Sequence, residues 1–216
     1  MSKITALRTA GGRGERVNIF LDGKFAFSLE AEVITKEGLQ AEQILSAERI
    51  EVLTRSDHFQ RCLSTAVHYL SYRPRSEFEL KQRLRQRGFD DETREAVITK
   101  LKKQGLVNDM AFAQFWKENR ESFSPRSQRL TKVELRRKGV ENDIIDQVVE
   151  TIDDEDSAYR AAQGKAYSLP KSDYQKFYRR LGEYLKRRGF SYGIINHTVE
   201  RLWPDQGNSS DNVSPG

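Results

Sequence analysis

The sequence has one cysteine, Cys62, so no disulfide can form within the chain and packing must hold the fold. An apolar helix around Cys62 makes it a buried structural thiol. Its three histidines, His58, His68 and His197, lack metal-ligand spacing to one another or to the cysteine, so they read as ordinary helix histidines. No apolar run approaches the roughly 20 residues of a membrane span. The opening Met-Ser-Lys-Ile-Thr lacks a signal peptide's apolar core, and a cytoplasmic protein is expected. The stretch Gly11-Gly12-Arg13-Gly14 lacks the Lys-Ser/Thr of a phosphate loop and precedes a strand pattern rather than a helix. From Glu141 to Asp156 run eight carboxylates without a basic residue, but the alternating ligands and glycine of a calcium loop are missing. That run reads as helix-start charge and a solvated linker. No nucleophile, histidine and carboxylate set stands out. A non-enzymatic protein with no metal or cofactor is therefore expected, the remoter alternative being an enzyme whose groups meet only on folding.

What is present begins with two alternating runs. Val17, Ile19 and Leu21 precede Asp22-Gly23, and Phe25, Phe27 and Leu29 follow it. Asp-Gly between alternating strands predicts a hairpin, because a type I′ turn needs positive φ at both central residues. A lone hairpin is marginal in water, so it should pair with a third strand at Ile4 to Arg8 or dock on a helix. From Ala41 the apolar period becomes helical, through Ile44, Leu45, Ile50, Val52 and Leu53 and then Phe59, Leu63, Ala66, Val67 and Leu70. Pro74 ends that helix by disfavouring helical geometry at Arg73. Ser76 and Glu79 form a capping box, Gly88 stands where a left-handed residue follows a helix, Asp90 to Glu92 favour a helix start, and Gly105 closes that helix.

Leu84-Arg-Gln-Arg-Gly-Phe89 recurs as Leu135-Arg-Arg-Lys-Gly-Val140 and as Leu185-Lys-Arg-Arg-Gly-Phe190, at spacings of 51 and 50 residues. Apolar positions downstream keep register: Ile98, Val149 and Val199, then Leu101, Ile152 and Leu202. Each signature has a further helical segment upstream, opened by Asp57, Asp109 and Asp156. The expected fold is mainly α: three tandem three-helix repeats behind a small N-terminal β-hairpin module. The divisions are 1–40 for the hairpin module, 41–107 for a linker helix and repeat 1, 108–153 for repeat 2, 154–204 for repeat 3, and 205–216 for a disordered tail with almost nothing to bury.

The formal net charge is +5, and basic residues are concentrated. Residues 73–104 hold ten Lys or Arg against six acids, 117–140 eight against three, and 165–190 eight against two. Cations near helix C-termini complement the helix dipole, which accounts for part of this. The remaining excess suits phosphate, though an acidic protein surface attracts the same residues. The candidate binding residues are Arg73, Arg75, Arg83, Arg87, Arg126, Arg129, Arg137, Lys138, Arg179, Arg180, Arg187 and Arg188. Tyr72, Phe123, Tyr174, Tyr178 and Tyr192 lie beside them as candidate stacking rings, although aromatics at helical spacing are more often core.

Tyr69-Leu-Ser-Tyr-Arg-Pro-Arg-Ser-Glu-Phe-Glu-Leu80 resembles the opening signature of the RecX family, regulators of the bacterial RecA recombinase. Gly105-Leu-Val-Asn-Asp-Met-Ala-Phe-Ala113, Glu134-Leu-Arg-Arg-Lys-Gly-Val140 and Arg188-Gly-Phe-Ser-Tyr192 resemble its later blocks, in order. Asn108 replaces a common second aspartate, and Ser124-Pro-Arg-Ser127 a more usual Lys-Gly. The resemblance covers nearly the whole chain. It implies tandem three-helix repeats in an elongated, curved arrangement. It also implies binding in the groove of the RecA filament on single-stranded DNA, with inhibition of ATP hydrolysis and strand exchange in recombination, DNA repair and the SOS response. A monomer is expected. The alternative is a stand-alone DNA-binding protein acting without RecA.

Overall fold

A computed structural model describes residues 1–10 and 16–203, so the Gly11–Gly14 connection and the tail from Asp205 fall outside the described residues. The chain divides into two compact units at Asn108–Asp109. The first holds β1 (Ser2–Thr9), β2 (Arg16–Leu21), β3 (Lys24–Glu30), α1 (Ala31–Glu37), β4 (Ile44–Leu45), α2 (Ala47–Tyr72), α3 (Glu77–Gln86) and α4 (Asp91–Lys103). The second holds α5 (Asp109–Phe123), α6 (Gln128–Arg137), α7 (Asn142–Val149), α8 (Asp154–Tyr167), α9 (Tyr174–Arg187) and α10 (Tyr192–Leu202).

The hairpin forms as its turn chemistry requires, with φ of 48° at Asp22 and 80° at Gly23. It does not stand alone: β1 pairs with β2, and β4 adds to β1, giving an antiparallel sheet in the order β3-β2-β1-β4. Ile4, Ile19, Leu29, Val33, Leu39, Leu45 and Leu53 make its core. The alternation fails at Phe25. The register shifts opposite Ile19 and Phe20, and the Phe25 ring lies outside, edge-on to Phe20 with centroids 6.0 Å apart.

Three sequence expectations need correction here. Ile44 and Leu45 are strand, not helix; they close the sheet against β1. Asp57 does not open a helix. Ser46 is the cap, accepting from Arg49 N–H at 3.1 Å, and no proline or glycine interrupts the following 26 residues of α2. That length lets one helix serve two cores. Leu53 packs with the sheet, while Cys62 and Ala66 pack with Leu80, Leu84, Val97, Ile98 and Leu101. The cap of α8 is likewise Asp153, with Asp156 in its first turn.

The repeat is visible in the backbone. The middle helices α3 and α6 begin at Ser76 and Ser127, both buried, both at φ −67° and ψ 157°. α9 is capped by Asp173 instead. All three end alike, with Arg87, Lys138 and Arg188 at φ −88°, −88° and −89°, then left-handed Gly88, Gly139 and Gly189. Phe89, Val140 and Phe190 donate back to the carbonyls of Leu84, Leu135 and Leu185, and each glycine donates to the residue after that leucine. This is the Schellman arrangement, whose first and last residues pack together. The Leu and final apolar residue of each signature are buried accordingly. The acidic run is helix-start charge around a short connection, with Glu141 and Asp153 at the N-caps of α7 (Asn142–Val149) and α8, but Asp154 is not solvated: it accepts from Gln128 N–H at 2.7 Å. Burial pushes the Asp154 carboxyl up.

Candidate functional site

The twelve candidate cations fall into three physical groups. Arg73 and Arg126 are occupied by carboxylates. Arg73 Nη1 lies 3.0 Å from Glu79 Oε2, and Arg126 pairs with Glu134. Glu134 is largely buried and also accepts from Arg120 Nε and Trp116 Nε1, both at 2.8 Å. These pairs fasten the start of a middle helix to its own repeat.

A second group is held by aromatic rings. Arg75 stands over Tyr69 at 5.4 Å and donates to the Tyr69 carbonyl. Burial, then the neighbouring Arg73 charge, lowers its pKa. Arg87 donates from Nε to Tyr69 Oη at 2.9 Å, and that bond raises its pKa. Lys138 lies 5.0 Å from the centre of the Trp116 ring, which Arg120 also covers. Arg188 covers Tyr184 at 3.8 Å. The basic residue before each signature glycine therefore rests on an aromatic group, by cation–π contact or by a bond to the phenol. Tyr69, Trp116 and Tyr184 were not among the candidate rings read from the sequence. Tyr69 and Trp116 meet their cations through tertiary packing. Tyr184 on α9 and Arg188 at its C-cap, four apart, were legible as helix neighbours.

The third group is unspent. Arg129, Arg137, Arg179, Arg180 and Arg187 are exposed and make no ion pair among the described residues. Among the described residues, Arg83 bonds to Gln86, at 3.3 Å, and makes no ion pair. Three of these lie on α9, whose opposite side buries Phe177, Leu181 and Leu185. Of the candidate stacking rings, Tyr72, Phe123, Tyr174 and Tyr192 are exposed, Phe123 by 83%. Tyr178 is half-buried, and its hydroxyl bonds Asn196. No described group of histidine, cysteine or carboxylate side chains is placed to hold a metal ion, and no described helix is long and apolar enough to cross a membrane.

Four family profiles match in sequence order: the regulatory protein RecX N-terminal domain over residues 2–46, and the first, second and third RecX three-helix domains over 62–101, 108–149 and 153–199. A curated relative from Clostridium perfringens strain 13, regulatory protein RecX, is 33% identical over 94% of this chain and 97% of its own length. The chain belongs to the RecX family. A RecX protein of Bacillus pumilus is 29% identical over 95% of this chain and 80% of its own. Among solved structures, a regulatory protein RecX superposes with a TM-score of 0.67 at 23% identity, covering 93% of this chain and all of that one. RecX from Lactobacillus salivarius gives 0.58 over 68% of this chain and 97% of its own. The RecX repeats are thus the helix triplets α2–α4, α5–α7 and α8–α10. The first RecX three-helix profile begins at Cys62, midway along α2, where that helix passes from the sheet core to the repeat core.

Proposed function

We propose that this RecX-family protein is a non-enzymatic regulator that binds the RecA filament on single-stranded DNA. It modulates, mainly inhibits, the filament's ATPase and strand-exchange activities in recombination, repair and the SOS response. The observation that carries this reading is the ordered set of four RecX domain matches along one chain. The charge arrangement supports it. Cations at Arg129, Arg137, Arg179, Arg180 and Arg187 are left unneutralised, as contact with a polyanionic nucleoprotein requires. Such a protein acts in the cytoplasm, as a monomer and without a cofactor. Arg73 and Arg126 are structural in this reading; the binding role passes to the unpaired arginines and the ring-held cations.

The test is RecA ATPase activity on single-stranded DNA with the protein added. Inhibition is expected, and Arg179→Glu, Arg180→Glu and Arg187→Glu together should raise the half-inhibitory concentration at least about tenfold with helix content unchanged. No effect of the wild-type protein at saturating amounts removes the proposal. The unpaired arginines also favour a second reading, direct action on DNA without RecA. Tight, salt-sensitive binding to bare DNA, with no change in filament ATPase, selects that one instead.

A further inference from the structure

One cleft lies at the first repeat, and another where the third repeat meets the α5–α6 connection of the second. The first cleft has a volume of about 470 Å³ and lies between one face of α2 and the C-terminal end of α3. Arg61, His68 and Arg87 line it with the hydroxyls of Ser64 and Thr65, against one carboxylate, Glu30. In the second cleft the volume is about 590 Å³, between α8, the end of α9 and the α5–α6 connection. Arg160, Lys165 and Arg188 line it with Ser124 and Ser168, again against one carboxylate, Glu121. Both volumes fall in the roughly 300–1,000 Å³ range of small-ligand sites.

The two clefts share a deeper feature. Their end cations, Arg87 and Arg188, are fixed by Tyr69 and Tyr184 rather than by carboxylates, so their positions are set while their charge is not cancelled. The Nε of Arg188 is buried with no hydrogen-bond partner. Arg61 and Lys165 make no ion pair among the described residues. Arg160 is tethered, to Asp156 at 2.7 Å and to the Glu121 carbonyl at 3.0 Å. An exposed ring adjoins each cleft: Phe123 lines the second, and Tyr72 meets the His68 ring edge-on at 5.0 Å beside the first. The Arg61, Arg87, Lys165 and Arg188 cations suit a tetrahedral oxyanion, whereas the Thr65 and Ser168 hydroxyls are already donated to the Arg61 and Lys165 carbonyls, at 2.7 and 2.8 Å. An adjacent exposed ring suits a base.

We propose that both clefts seat the phosphate of a nucleotide, on Arg61 and Arg87 in the first repeat and on Lys165 and Arg188 in the third, with the base against Tyr72 or Phe123. The inference rests on the reading of the chain as a partner of nucleoprotein, and goes beyond it by assigning two sites. The phosphate belongs either to a strand or to a free nucleotide.

The full-length protein is titrated with a fluorescein-labelled oligothymidylate and, separately, with ATP. The test variant is Arg61→Gln with Lys165→Gln, two side chains free of structural ion pairs. The control is Lys36→Gln with Lys103→Gln, which removes the same charge from exposed positions outside the clefts. Weakening of either probe by at least about tenfold in the test variant is expected, with the control within about twofold of wild type. For the oligothymidylate, the slope of log K against log salt should also flatten by about 0.7 at each cleft, for the one single-strand phosphate that it no longer neutralises. ATP that binds by itself and competes with the oligothymidylate identifies a free nucleotide; ATP that does neither identifies a strand. Equal weakening by both variants, no weakening by either, no binding of either probe, or equal competition by polyglutamate each overturns the proposal. RecA ATPase inhibition by the wild-type protein is measured in parallel. Inhibition that persists while the cleft variant binds normally removes the clefts alone, whereas absence of inhibition removes the filament reading.

Discussion

A carboxylate buried within a helix must be held by donors, and Asp57 is held from two strands. It accepts from Glu30 N–H at 2.7 Å and from the Arg16 guanidinium at 3.3 and 3.5 Å. Arg16 in turn donates to the Ser28 carbonyl at 2.5 Å. The side chain that the sequence suggested as a helix start is therefore a peg between α2 and strands β2 and β3. Removing it strands the Glu30 amide and a half-buried guanidinium, a loss of the kind that costs about 2–4 kcal/mol. Asp57→Ala should lower the stability of the first unit by that amount in denaturant titration followed by circular dichroism; a change below about 0.5 kcal/mol would mean that water replaces the carboxylate. At the same scale, Asp90 caps α4, accepting from Thr93 N–H and meeting His58 at 2.9 Å. The Thr93 bonds foremost hold its carboxyl down at about 2. Its folded value lies below the ordinary aspartate range near 4, so its contribution is complete above that range and fades as pH falls toward 2. Acid unfolding monitored by circular dichroism should lose part of this pH dependence in Asp90→Asn, which keeps the cap geometry without the charge; an unchanged acid limb would exclude the role.

Among the helices, the signature glycines look alike in sequence but differ in surroundings. Gly88 has φ +86° and open space where a Cβ would stand; Gly189 has φ +89°, and its Cβ would lie 2.5 Å from Ser127 Oγ and 2.7 Å from Leu130 Cβ. Ser127 N–H also donates to the Arg188 carbonyl at 3.0 Å. The end of α9 is thus seated on the start of α6. Gly88→Ala should cost only backbone strain, about 1–2 kcal/mol, and Gly189→Ala about 3 kcal/mol or more, because overpacking adds to the strain. Equal losses in denaturant titration would show that α6 gives way freely. This contrast also marks what the sequence could tell. Local chemistry was legible: the Asp22-Gly23 turn, the Ser76 cap, the arrest at Pro74 and the glycine stops all depend on neighbours in sequence. Strand β4, α1 and the unbroken course of α2 were not, since Ile44 and Leu45 become strand only by pairing with β1. For the candidate site, the concentration of arginines was legible, but not which of them are spent. Glu79 neutralises Arg73 six residues away, Glu134 binds Arg126 eight away, and Tyr69 reaches Arg87 eighteen away; tertiary structure decides each.

At the scale of the chain, each unit has cores of its own, the sheet and first-repeat clusters in one and the second- and third-repeat clusters in the other. The two tryptophans, Trp116 and Trp203, both belong to the second unit. Trp116 packs on Phe112, and Trp203 on Phe177 and Tyr174. Tryptophan emission therefore reports the second unit, while far-ultraviolet circular dichroism reports helix throughout. Units with separate cores unfold with separate free energies, and a mutation shifts only the transition of the unit that contains it. Asp57→Ala should move part of the circular dichroism transition to lower denaturant and leave the fluorescence midpoint where it stands. Gly189→Ala should move the fluorescence midpoint instead. If Asp57→Ala shifts both signals together, the chain unfolds as one cooperative body, and the stability of the basic repeats depends on the N-terminal sheet.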